Sequence, residues 1–442
     1  MTEATRTPFA AAFRVDGRAT LFVVILLLAL VSLAPFSDLS TVDSAELGEG
    51  KDIWTYAAFA ILAATAGMAV WRSDRPAIQS LQNPSYLALA AWIGVSCLTS
   101  QDPTTSIKRA AMLSFVVICA GSLFLLPRDR SQLARLLSFT ALVVVGLSYF
   151  GVIFLPQYAI HQAMDLTEPL LAGDWRGSFA HKNLASAVFS VLAFVGLFVG
   201  SERRFEGLLI FVLAILFVVA SGGKSSLGIC VVTIMVSYLA ARTQNIALWL
   251  ALVFSPLALL NLLGVGSVVW PSLSELSAAL PLDNSFTGRT DVWSFALPKA
   301  GDALLVGHGF LAFWNTDALR YGMEQTTTWA GFAAHAHNGY LDAVLSMGLP
   351  GLFLTIVAFV VKPASDIRRV LARSHEPALC LLFMQIWLFS LYLNALESFF
   401  FDRASPSWIA FLFAVFGAHY LARFRIVDWS GNWLGESRRT SV

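Results

Sequence analysis

"HAHNGYLDAVLSMGLPGLFLTIVAFVV", residues 335–361, sets two histidines and an asparagine directly before a long, mostly apolar run whose one charged residue is Asp342. A helix of about 20 such residues crosses a bilayer core. Comparable runs recur at about 19–36, 53–71, 84–99, 108–127, 133–155, 184–200, 206–221, 225–241, 246–269, 338–361, 377–396 and 406–422. Composition agrees. The 442 residues are 57% hydrophobic and 13% charged, against about 25% charged in soluble domains. The reading is an all-α polytopic membrane protein with about twelve transmembrane helices, one integral membrane domain over 1–442. A formal net charge of +1 offers nucleic acid no basic footprint.

Lys and Arg accumulate on the cytoplasmic side of membrane proteins. With the N-terminus inside, 19 of the 29 Lys and Arg fall in inner segments. Both termini are therefore expected in the cytoplasm. The first run has no small-residue cleavage site behind it and reads as a retained span, not a signal peptide. Cys97, Cys119, Cys230 and Cys380 all fall inside spans, without metal or redox spacing, and read as small buried residues.

This topology places polar chemistry on the outer face, in a first outer loop at 156–183 and a large periplasmic loop with short helices at 270–337. The first ends "DWRGSFAHKN" (174–183), gathering Arg176, His181, Lys182 and Asn183 at a helix start. These residues suit an anion or a sugar, although Trp, Arg and Lys also anchor helices at headgroups. The turn "SGGKSS" (221–226) ends like a phosphate loop, but Val218 stands where that pattern needs glycine. What survives is Lys224 on a glycine-flexible turn, able to hold an anion or simply to snorkel.

In the large loop, Thr287 reads as the N-cap of a helix running to about Ala300, with Arg289 in its first turn. The helix dipole already supplies positive potential there. An arginine placed against that preference marks an arriving anion, and free N–H groups beside a guanidinium fork suit a diphosphate. Pairing with Asp291 is the structural alternative. Trp293, one turn on, could stack on Arg289 or on a sugar ring.

Asn338 reads as the N-cap of the run from 338, which puts His337 at the positive end of that helix, where the neutral imidazole is favoured. A neutral imidazole at a membrane surface can act as a general base, with Asp342 to orient it or Asn338. His335 and His337 could instead be two legs of a metal site, but no acidic or cysteine cluster accompanies them in the sequence.

Here the residues resemble a known family. His337-Asn338, nine residues, Gly348, two residues and Gly351 fit the pattern H-[NSQ]-x9-G-x-x-[GTY] of the O-antigen ligase and polymerase superfamily. "TGRTDVW" (287–293) and "GHGFLAFW" (307–314) look like its outer-loop signature, and "SGGKSS" resembles its S-x-[RK]-[ST] turn. "WRGSFAHKN" (175–183) is similar to exopolysaccharide polymerases of the succinoglycan type.

The resemblance implies a GT-C-like, metal-independent, inverting membrane glycosyltransferase without cofactors, acting at the outer face of the bacterial inner membrane. Its donor would be an undecaprenyl-diphosphate-linked saccharide and its acceptor a second saccharide, with a flippase and a chain-length regulator as further partners. His337 carries over as activator of the acceptor hydroxyl, Arg289 as a diphosphate contact and Lys224 as a second cation, where many ligases have arginine. Arg176, His181, Lys182, Asn183, Trp293, Asn338 and Asp342 join the expected substrate-binding set. Polymerisation of repeat units is the favoured reaction and transfer to lipid A-core the alternative. A transporter would instead carry ionisable groups near mid-span.

Overall fold

The structure, a computed structural model, describes residues 16–31, 35–41, 53–166, 168–279, 288–314, 316, 333–373 and 376–424, apart from the side chain of residue 278. Both chain ends, Thr287 and much of the 270–337 loop lie outside the described residues.

A described helix lies on each of the twelve apolar runs. Among the described residues, seven helical stretches are long and apolar enough to cross a membrane: Ile53–Ser73, Pro103–Leu123, Arg130–Phe154, Lys182–Gly200, Lys224–Arg242, Ile246–Val269 and Gly339–Arg373. Gly17–Leu30, Pro84–Leu98 and Pro377–Leu393 are apolar but shorter. Among the described residues there is no strand, only an isolated bridge between Ile160 and Trp175.

Short polar side chains start these helices by accepting the first unpaired N–H groups. Asn83 accepts from Ser85 and Tyr86, Asp102 from Thr105, Asp129 from Gln132 and Asn245 from Ala247 and Leu248. Proline at the first position of Pro84–Leu98 and Pro103–Leu123 needs no such acceptor.

The Lys182–Gly200, Pro377–Leu393 and Pro406–Arg423 helices are buried on nearly every side and form the centre. Ile246–Leu263 buries only Trp249 and Val253. Ile153, Leu216, Val219, Leu239, Leu259 and Phe353 stand exposed. Apolar surface on this scale suits lipid rather than water. One end of the bundle is closed by cations. Arg130 reaches Glu202 at 2.8 Å and Glu376 at 3.1 Å, and Arg373 donates to the Ala422 carbonyl at 2.8 Å.

The run from 338 is not one straight helix. Gly348 adopts φ 69°, so the backbone breaks there before Pro350. A break frees carbonyls that lipid cannot satisfy, so protein must. His308 N–H donates to the Leu345 carbonyl at 2.7 Å, Ser96 to that of Ser346 at 2.6 Å and the Trp92 indole to that of Met347 at 2.9 Å. Leu349 N–H in turn donates to the Leu304 carbonyl at 2.7 Å. The 303–314 loop thus docks backbone to backbone. A Cβ on Gly348 would meet the Leu304 carbonyl oxygen at 2.6 Å, and one on Gly307 the Met347 nitrogen at 2.4 Å.

Candidate active site

At the other end of the bundle, Glu397 gathers residues from three distant parts of the chain. It sits in the turn between Pro377–Leu393 and Pro406–Arg423. One carboxylate oxygen accepts from Arg289 Nη2 at 2.6 Å and from Asn183 Nδ2 at 3.1 Å. The other faces His337 Nδ1 at 3.1 Å. The same turn holds the backbone: Gly339 N–H donates to the carbonyls of Asn394 at 2.8 Å and Glu397 at 3.2 Å. His337 has φ 50°, an uncommon conformation for a non-glycine residue that persists only where its surroundings enforce it.

Ala336, between the two histidines, is held on both backbone atoms. Its N–H donates to Asp342 at 3.0 Å, and its carbonyl accepts from the Trp293 indole at 2.9 Å. Asp342 also accepts from the Trp314 indole at 2.6 Å, so one carboxylate ties positions 314 and 336 together. These contacts correct two expectations. Trp293 is 0% exposed and has no face to offer a sugar. Asp342 braces the loop backbone, not the imidazole. Asn338 is the helix N-cap as read, accepting from Tyr340 and Leu341, but it is only 1% exposed and donates to the Ala395 carbonyl at 3.0 Å. It therefore presents no amide to a ligand.

Arg289 opens the Arg289–Asp302 helix after Gly288, whose φ is 82°, so the helix starts one residue later than a Thr287 cap implies. It pairs with Glu397 at 2.6 Å, not with the neighbouring Asp291.

In the 156–183 segment, His181 caps the Lys182–Gly200 helix, its Nδ1 accepting from Asn183 N–H at 3.1 Å and its Nε2 lying 2.6 Å from Glu168. His161 packs edge-on against it at 5.3 Å, accepts from Lys182 N–H at 3.3 Å and pairs with Asp165 at 2.9 Å. Lys182 Nζ lies 2.6 Å from Asp174. Arg176 departs from the substrate-binding expectation. It is 1% exposed and donates to the Phe179 and Ser37 carbonyls, a brace inside the protein. Lys224 is exposed at the first position of its helix. Gly222, at φ 61°, lets that turn press on Asp174, where a Cβ would meet the carboxylate at 2.6 Å. Lys182 thus pairs with the carboxylate against which the turn carrying Lys224 packs.

A family profile described as O-antigen ligase matches residues 209–356. The exopolysaccharide production protein ExoQ of Rhizobium meliloti (strain 1021) is 25% identical over 324 residues, 68% of this chain and 69% of that protein. Both matches support the O-antigen ligase/polymerase family for this chain. The matched profile contains Lys224, Arg289, Trp293, His337, Asn338 and Asp342, whereas Arg176, His181, Lys182, Asn183 and Glu397 lie outside it.

Burial pushes the Glu397 carboxyl up, but Arg289, then His337, overcome it and hold it well below the usual carboxylate range. Glu397 is therefore a fixed anion. Burial, then the neighbouring His337, push His335 down, so it is neutral near pH 7. The two rings lie 4.2 Å apart, and His335 Nδ1 accepts from the His337 N–H at 3.2 Å.

His335, His337 and Glu397 each bring a metal-capable donor atom, all within 4.8 Å of one another. The acidic group that the local sequence lacks thus arrives from 60 residues downstream. Both of its oxygens are already engaged, however, and a guanidinium 2.6 Å away opposes a second cation there. Glu397, Glu168 and His161 were missed by sequence reasoning. The available signal was position alone, as ionisable residues in turns between apolar runs.

Proposed function

We propose that this chain is a membrane glycosyltransferase that polymerises undecaprenyl-diphosphate-linked repeat units, with the Glu397 end of the bundle at the outer face of the inner membrane. The observation that carries the reading is that His337 and Arg289 sit on the two oxygens of one carboxylate. A general base and a diphosphate-binding cation are thereby held side by side. With His337 Nδ1–H donated to Glu397, Nε2 presents its lone pair to a hydroxyl.

The donor arrives activated by its diphosphate leaving group. The acceptor oxygen bonds to the anomeric carbon as its proton passes to His337 Nε2. The bond from that carbon to the diphosphate oxygen breaks, and Arg289, Lys182 and Lys224 stabilise the departing charge. A single displacement inverts the anomeric centre and needs no metal. In this reading all twelve helices cross the bilayer, both termini are cytoplasmic, and a flippase and a chain-length regulator act alongside.

The test is reconstitution of the full chain with purified lipid-linked repeat units, with and without lipid A-core. A ladder without core supports polymerisation. A shifted core band alone means ligation, the activity after which the matched profile is described. Movement of intact lipid-linked saccharide across the bilayer, with no new glycosidic bond, would replace both with transport.

A further inference from the structure

The turn that carries Glu397 carries a second charged centre, six residues on. Arg403 follows Phe401 and Asp402, and its own φ of 22° is unusual. Among the described residues it forms no hydrogen bond or ion pair. Phe401 packs edge-on against Phe310 at 5.8 Å, and the next residue of that loop, Leu311, accepts through its carbonyl from Arg109 Nη1. Arg109 is in the second turn of Pro103–Leu123 and makes no other hydrogen bond among the described residues. Each guanidinium has five N–H donors. Two half-buried arginines are thereby linked through the Phe310–Phe401 contact, with one of their donors used.

Asp402 feels both charges. Burial pushes its carboxyl up, opposed by Arg403, then His335, then a Ser405 hydrogen bond and Arg109. Neither arginine approaches it within ion-pair distance. His335 feels both Glu397 and Asp402.

We propose that Arg109 and Arg403 form a second diphosphate subsite, which binds the lipid-linked acceptor while Arg289, Lys182 and Lys224 take the donor. This rests on the polymerisation reading. In that reaction both substrates carry a diphosphate, and one cationic site cannot serve the two at once. Paired guanidinium forks suit such a group.

The probe is geranylgeranyl diphosphate, titrated calorimetrically into the full chain in detergent. Wild type should bind two per chain, Arg403→Gln one, and Arg289→Gln the other one. Arg403→Lys, which keeps the charge, should retain the second site more weakly. One equivalent in wild type, or two in Arg403→Gln, would overturn the subsite, as would its displacement by phosphatidylglycerol at equal concentration. In the transfer assay, Arg403→Gln should raise KM for lipid-linked acceptor about tenfold, the loss of one charge-assisted hydrogen bond, with donor KM unchanged. An acceptor saccharide stripped of its diphosphate should serve wild type and variant equally. Two bound diphosphates with no transfer in wild type would sink polymerisation and leave the subsite. Normal transfer with an unchanged acceptor KM in Arg403→Gln would do the reverse.

Discussion

Glu397 Oε2 lies 3.1 Å from His337 Nδ1, and the two residues are 60 positions apart. The carboxylate selects which ring nitrogen carries the proton and fixes the ring against the turn. Glu397→Gln keeps the shape but offers an amide in place of the anion, which permits the wrong tautomer. Transfer should fall roughly 10²–10⁴-fold, the range of general-base catalysis, while membrane insertion is kept. Turnover per inserted molecule checks this, and a rate within a factor of two of wild type would remove Glu397 from the mechanism.

Arg289→Lys preserves charge but loses the fork that can hold Glu397 and a phosphate together. It should reduce transfer and weaken donor binding, with correct insertion. Lys224→Arg should be tolerated, because the exposed first turn of its helix has room for the larger group. Normal donor affinity in Arg289→Lys would show that the diphosphate contacts lie elsewhere.

The helix break makes a separate demand on stability. At Gly348, φ is 69° and any Cβ meets carbonyl oxygens at 2.6 Å. Gly348→Ala should destabilise by about 1–3 kcal/mol or more through backbone strain alone, and transfer should fall because the loop leading to His337 loses its dock. Gly228→Ala, with nothing within 4 Å, is the control. Thermal unfolding in detergent compares them, and equal midpoints would contradict the docking account.

Stability should decline in acid in two stages. His335 has a folded pKa below its ordinary 6.5, and Glu397 one well below 4.5. For a depressed group, stabilisation is full above the ordinary value and is lost as pH falls towards the folded one. His161, depressed mainly by burial, shares the first window. The unfolding midpoint should be level near neutrality, drop below about pH 6.5 and drop further below about pH 4.5. His335→Asn keeps an acceptor for the His337 N–H and should shrink the first drop. An undiminished drop would mean that His335 is not buried in its neutral form.

The twelve apolar runs were legible because each exceeds a helical period many times over and lies between polar caps that sequence shows directly. Arg289, Lys224 and His337 stood out in the sequence as ionisable residues beside apolar runs, and their catalytic roles belong to the proposed function. What sequence could not show was orientation. Trp293 and Arg176 look like ligand contacts by type, yet both are buried, Trp293 donating to the Ala336 carbonyl and Arg176 to those of Phe179 and Ser37. Glu397 was invisible for the opposite reason. Its meaning comes from residues 60, 108 and 214 positions away, which only the packed bundle brings to one carboxylate.

The paired imidazoles give the sharpest discrimination. If His337 is the base, His337→Ala should leave insertion and donor binding near normal while transfer falls roughly 10²–10⁴-fold. His335 accepts from the His337 N–H and packs on its ring at 4.2 Å, so it supports its neighbour without meeting the hydroxyl. His335→Ala should therefore lose far less, and His335→Asn less again, because the backbone acceptor is kept. A metal held by His335, His337 and Glu397 would behave otherwise, since each ligand would then count alike. Chelator should leave the wild-type rate unchanged. Equal losses at His335 and His337, together with inhibition by chelator that a divalent cation reverses, would establish a metal centre in place of the base.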